Sequence, residues 1–172
     1  MNIEELLKDK LKKPKEKTSI ISEWLINGEL SVDELLAYAE NAKDSAKATC
    51  IEAIEYTTIK NANIANEDVL SFVTQNLKAK APRVKWESAK VIANTIHLFP
   101  NDLDEIIENL LENTNHTGTV VRWSAATALG EILKLETRQN TTLLPIIKEI
   151  IEKEEKNSIK KIYLKAVKMI LT

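Results

Sequence analysis

A thiol beside an imidazole can make a nucleophile, because the imidazole takes the thiol proton and leaves a thiolate. This 172-residue chain offers one cysteine, Cys50, and two histidines, His97 and His116. Cys50 with His97 is the pairing to weigh. Cys50, however, falls at the position that Ser88 and Ala125 take in neighbouring repeats, and reads as a small buried core residue. His97 and His116 stand alone in different units, so no His/Cys zinc site is expected. His116 sits in the turn Asn113-Thr114-Asn115-His116-Thr117-Gly118 and is expected to be solvated. Paired carboxylates such as Asp102 and Asp104 could do acid–base work. Near a helix N-terminus their first role is to match the helix dipole. No Gly-rich phosphate loop, CxxC or HExxH is present. The expectation is no enzyme, no metal and no cofactor.

The remaining candidates act by contact, and they come in copies. Val84-Lys85-Trp86-Glu87-Ser88-Ala89-Lys90-Val91-Ile92-Ala93 aligns with Val121-Arg122-Trp123-Ser124-Ala125-Ala126-Thr127-Ala128-Leu129-Gly130, 37 residues on. The same frame continues at 46–54 and 159–167. Its second position is always a cation: Lys47, Lys85, Arg122 and Lys160. On a helical wheel these point sideways toward the next unit, which implies an inter-repeat ladder with Asp44 as a candidate partner. The third position, with those four, eight and eleven residues later, turns away from the core. It collects Trp86, Lys90, Asn94 and His97 in one helix and Trp123, Thr127, Glu131 and Lys134 in the next. The flanking helices contribute Ala48, Glu52, Tyr56 and Ile59, and Lys161, Lys165, Met169 and Thr172, with Lys168 alongside. Exposed tryptophans are typical anchors for a partner. The alternative is that both rings lie flat and fill space between repeats. Trp24 is expected in the core.

What must position these residues is a stack of helices. A period between about 20 and 50 residues marks a stacked-repeat architecture. Between the aligned helices (B) lies a second set (A), whose starts are marked by the N-cap candidates Ser31, Asn66, Asn101 and Asn140. Ser31-Val32-Asp33-Glu34 reads as a capping box. Units are expected at 31–61, 66–98, 101–136 and 140–171, after a degenerate pair at 2–27 broken at Pro14. That makes one domain of about ten helices in about five antiparallel pairs. Three Gly and four Pro leave little for tight turns, and aromatics at 5% argue against a β-sandwich. The terminal faces, Ile3, Leu6, Leu7 and Leu11 at one end and Ile159, Ile162, Tyr163, Ala166, Val167 and Ile170 at the other, read as one-sided caps of a complete domain.

Val121-Arg122-Trp123-Ser124-Ala125-Ala126-Thr127-Ala128-Leu129-Gly130-Glu131-Ile132 resembles the second helix of a HEAT repeat. Leu143-Leu144-Pro145-Ile146-Ile147 resembles the proline-bearing first helix of that family. Glu55 and Lys168 stand where the family's Gly would fall in the first and fourth units. The resemblance covers roughly 31–171. It implies an all-α, right-handed α-solenoid whose B helices line the concave side, and it implies no single activity.

A net charge of −2 weighs against a dedicated duplex binder. Lys78, Lys80, Arg83, Lys85 and Lys90 against Glu87 make the start of the second unit basic. Asp102, Asp104, Glu105, Glu108 and Glu112 make the A helix of the third acidic. A basic inner layer under an acidic outer one would steer an acidic ligand inward. The leading expectation is therefore a non-enzymatic scaffold. It would hold a protein, or an acidic or amphipathic peptide, on the concave face, with Trp86 and Trp123 as anchors and Lys90, Lys161 and Lys165 as polar contacts. A second reading is nucleic-acid binding akin to HEAT-like alkylation-repair glycosylases, though no aligned concave Asp is found. A third is a bilin lyase or chaperone, since such proteins use these repeats. A cytoplasmic monomer is expected, with no membrane span.

Overall fold

The structure is a computed structural model that describes residues 2–171. Ten α-helices run in order: α1 (Ile3–Lys8), α2 (Pro14–Asn27), α3 (Val32–Glu40), α4 (Asp44–Lys60), α5 (Glu67–Asn76), α6 (Pro82–Thr95), α7 (Asp104–Asn113), α8 (Thr119–Lys134), α9 (Asn140–Lys153) and α10 (Asn157–Leu171). Single 3-10 turns follow α4 (Ala62–Ile64) and α6 (Ile96–Leu98), and the described residues contain no strand. None of these helices is long and apolar enough to cross a membrane.

Local chemistry sets most of the starts. Pro14 and Pro82 open α2 and α6, where a missing N–H has no helical partner to lose. Ser31 forms the expected capping box with Glu34, and Asn66 caps α5 through the amide of Val69. Two expected caps are different. The α7 helix begins at Asp104, three residues past Asn101, because fully buried Leu103 takes the cap position. Apolar burial outweighs the polar cap there. Asn140 is the first residue inside α9, and its amide donates to the carbonyl of Leu133, tying α9 to the end of α8. Gly28 ends α2 at φ 75°, a left-handed conformation that glycine adopts without strain.

The even-numbered B helices pack side by side along their lengths, while the odd-numbered A helices each lie on their own B helix and touch one another sparsely. A close-packed layer under a wider-spaced one curves the stack, with the B helices inside. The core is the seam between layers, built from residues such as Leu35, Ile51, Ile54, Ile92, Leu110, Leu129 and Ile147. Cys50 lies in it, fully buried, and burial pushes its thiol up to about 12. Ser88 and Ala125, at the matching positions, are buried too. Trp24 is half-buried against the same core. Of the expected terminal faces, that of α10 is buried or half-buried. Leu11 lies beyond the end of α1 and is 94% exposed.

Candidate binding face

The fourth residue of every B helix is a cation, which adds Lys17 to the four found by alignment. Three of the five reach back to carbonyls at or just past the end of the preceding A helix. Lys17 Nζ donates to Leu7 O at 2.8 Å, Lys85 Nζ to Leu77 O at 3.0 Å, and Arg122 Nη1 to the carbonyls of His116 and Thr117, each at 3.1 Å. The last carbonyls of a helix lack intrahelical donors and carry the negative end of its dipole, so a cation is well placed there. Two of these cations also cross to the next unit: Lys85 to Asn113 Oδ1 at 3.1 Å and Arg122 to Glu154 at 3.0 Å. Lys47 borders a cleft between α3 and α5, and Lys160 is half-buried. Asp44 is exposed and makes none of these bonds.

His116 is half-buried, not freely solvated. Its Nδ1 accepts from the amide of Gly118 at 2.9 Å, closing the turn before α8. It lines a polar cleft of about 470 Å3 between α7 and α9, with Arg122 and Glu154 on the wall. Burial pushes Glu154 up, but hydrogen bonds from Arg122 and the amides of Lys156 and Glu155 outweigh it, and its pKa is lowered.

The away-facing stripe is mostly half-buried or exposed. Trp86, Lys90, Asn94, Thr127, Glu131, Lys134, Glu52 and Tyr56 are half-buried. His97, Trp123, Ile59, Lys161, Lys165 and Met169 are exposed. Ala48 is buried, its methyl too short to clear α2 and α6, and Thr172 lies outside the described residues. The two tryptophans differ. Trp123 is 40% exposed and walls a cleft of about 420 Å3 with Val120, Lys156 and Ile159 at the start of α8 and α10. Trp86 is held down, its indole N–H donating to Glu87 Oε1 at 2.9 Å. Thr127 turns its hydroxyl back to Trp123 O, and Lys134 pairs with Glu131 at 2.7 Å.

The α4–α6 seam differs from the expected basic layer. Arg83 pairs with Glu52 at 2.6 Å, and Lys90 stands 3.8 Å from Glu55 and 3.6 Å from Glu87. With Lys85 on its carbonyl, three of the five cations at this end are already engaged, so they form no free positive strip. Asn94 crosses the seam to Thr58 Oγ1 at 3.1 Å and Glu55 O at 3.3 Å. Burial raises the pKa of both Glu55 and Glu87; Lys90 opposes the rise and Glu52 adds to it. Tyr56 beside them is also raised, by burial and then by Glu52. Neither Glu87 nor Glu55 stands out in the sequence as a site residue, and Glu55 shows there only as a departure from the HEAT pattern. The signal was present. Glu87 stands where its copy has the small Ser124, and Glu55 replaces the repeat's Gly.

No protein-family profile matches the chain, and no curated protein matches it. Solved structures do. It resembles a chain of the complex of CpcE and CpcF of phycocyanin lyase from Nostoc sp. PCC7120, at 20% identity over 95% of this chain and 96% of that one, with a TM-score of 0.70. It also resembles the designed armadillo repeat protein YIII(Dq)4CqI, at 17% identity, 96% and 79% coverage and a TM-score of 0.67. A third likeness is to the designed armadillo repeat protein YIII(Dq.V1)4CPAF in complex with the peptide (KR)4, at 19% identity, 96% and 79% coverage and a TM-score of 0.66. Helix pairs, a close-packed inner layer and these likenesses agree on one fold: the chain is a HEAT/armadillo-like α-solenoid.

Proposed function

We propose that the protein is a non-enzymatic scaffold that binds an extended, amphipathic polypeptide segment across the concave face of α4, α6, α8 and α10. The observation that carries this reading is Trp123. A large aromatic ring, 40% exposed on the inner face, walls an open cleft with Val120 and Ile159. An apolar side chain seated there would lose water on several sides, which is how aromatic anchors supply binding energy. Lys161 and Lys165 are exposed beside it on α10, placed to meet an acidic residue of the same segment. The engaged cations at α4–α6 and the three carboxylates among them count against nucleic acid, whose phosphates need a continuous positive track. Peptide display against the immobilised protein tests the reading. Enriched peptides should pair an apolar with an acidic residue and lose binding to Trp123→Ala. Enriched peptides that bind the variant as well as the parent would refute it.

A second reading, a tetrapyrrole-handling role, is favoured by one observation: the likeness to a phycocyanin-lyase chain spans nearly all of both proteins. Mixing the protein with free phycocyanobilin discriminates. A red shift and gain of bilin fluorescence, lost in Trp86→Ala, would support it, and an unchanged spectrum would remove it.

A further inference from the structure

The B layer leaves one helix face open at each end. In α4 and α8 the eighth, twelfth and fifteenth residues share the side turned to the next B helix, and all are buried: Ile51, Glu55 and Thr58, then Ala126, Gly130 and Leu133. The same places in α10 are Leu164, Lys168 and Leu171, and among the described residues no helix follows to cover them. Leu164 is 50% exposed and Leu171 66%, and Lys168 is exposed between them. With exposed Lys161 they are spaced three, four and three residues apart, which makes one stripe. A closed end would carry a polar stripe there. The α10 helix instead presents two leucines at the seats where inner repeats stack.

At the other end, the exposed side of α2 carries Glu16, Ser19, Glu23 and Ile26, with the same three-four-three spacing. Ile26 is 45% exposed. The charges are opposite: α10 has four lysines and no carboxylate, and the α2 stripe has two carboxylates and no cation. We propose that a second copy of this chain seats its α2 on α10, head to tail, so that the B layer runs on from one copy to the next. Two seams inside the chain supply the register. Gly130, twelfth in α8, packs against Ala166, tenth in α10. Asn94, thirteenth in α6, donates to Thr58, fifteenth in α4, at 3.1 Å. Each contact joins a residue to the one two places earlier in the next helix. Carried across two copies, that offset sets Lys161 against Glu16, Leu164 against Ser19, Lys168 against Glu23 and Leu171 against Ile26 of the second copy. Lys15 approaches half-buried Lys160 at the edge, one like-charged pair against two opposite ones.

The two stripes are different surfaces, so the contact is heterologous, and each copy keeps one stripe open for the next. Copies therefore add end to end, into an open filament or a closed ring, where a monomer was expected from the sequence. One helix seated on another buries less than a standard interface, so the contact is weak, with a Kd on the order of 0.1 mM. The inference stands apart from the peptide reading. Lys161 serves both, and the test leaves it unchanged.

Sedimentation velocity on the full chain, from about 10 μM to about 1 mM, tests this. The weight-average mass of the parent should rise with concentration above the 19.4 kDa of one chain. Leu164→Ser with Leu171→Ser removes the apolar seat on α10 and leaves α2 intact. Glu16→Lys with Glu23→Lys puts like charge on α2 and leaves α10 intact. Each variant alone should associate about tenfold or more weakly than the parent and stay near the mass of one chain. An equimolar mixture of the two keeps one intact α2 and one intact α10, so it should form pairs and stop at two copies. All four positions are exposed. Should either variant lose its helicity, Leu171→Ala and Glu23→Gln, mixed in the same way, give the same reading. A parent that stays monomeric at about 1 mM, a one-ended variant that associates as the parent does, or a mixture that stays monomeric overturns the proposal.

Discussion

The Lys85 ammonium donates to the carbonyl oxygen of Leu77 at 3.0 Å, and the same nitrogen donates to Asn113 Oδ1 at 3.1 Å. Asn113 in turn donates to Leu77 O at 3.1 Å. Groups from α6 and α7 thus meet the carbonyl just past the end of α5. Burial lowers the pKa of Lys85, with Glu112 opposing, as fits an ammonium drawn partly out of water. Lys85→Met keeps the aliphatic stem and removes the donor. Urea unfolding should show a loss of about 1–2 kcal/mol, against almost none for Met at exposed Lys15.

Arg122 and Glu154 should matter more. The pair joins α8 to the α9–α10 turn, with side-chain exposures of 17% and 5%. Arg122→Ala leaves a carboxylate buried without its cation, and the expected loss is about 3 kcal/mol. The pH dependence has a definite sign. The folded-state pKa of Glu154 is lowered, so its stabilisation is present above the unfolded value and is lost as pH falls through the folded one. Glu154→Gln should flatten that acid limb in unfolding curves.

Glu87 should act in the opposite sense. Its folded-state pKa is raised, so its stabilising share is full below the unfolded value and is lost as pH rises through the folded one. Near neutral pH the charged form is then a liability. Glu87→Gln keeps an acceptor for the Trp86 indole and should raise stability by about 1 kcal/mol at pH 7. Below about pH 4 the gain should vanish. Thermal melts at both pH values check it, and a variant less stable than the parent at pH 7 would contradict the account.

Gly130 sits where α10 closes on α8. A Cβ added there would meet the Ala166 Cβ at 3.4 Å and the Ile162 Cγ2 at 3.9 Å, ordinary contact distances. Gly130→Ala should therefore fit and add helix propensity, raising stability by about 0.5–1 kcal/mol in denaturant titration. Glu55 holds the same place in α4, where a longer polar side chain must instead be buried against α6.

The helices and their pairing were legible because a 37-residue period and a helical wheel depend only on spacing. The solvent exposure of the away-facing stripe followed from the same wheel, with buried Ala48 the exception. Caps were legible where a polar side chain decides, as at Ser31. They were not where burial decides, as at Leu103. The seam between Glu55 and Glu87 was harder. Each is a single departure in its own repeat, and their meeting at Lys90 depends on how α4 packs on α6. The unequal tryptophans have a similar origin: Trp86 has an acidic neighbour to hold its N–H, and Trp123 has Ser124.

The central claim is that the concave face is the binding face and Trp123 its anchor. Calorimetric titration of the tightest display-selected peptide against the parent, Trp123→Ala and, as a control away from the groove, Leu11→Ala measures it most directly. The expected result is an affinity about thirtyfold weaker for Trp123→Ala, the range of an aromatic hot spot, and unchanged for Leu11→Ala. Equal affinities for all three proteins would contradict the account.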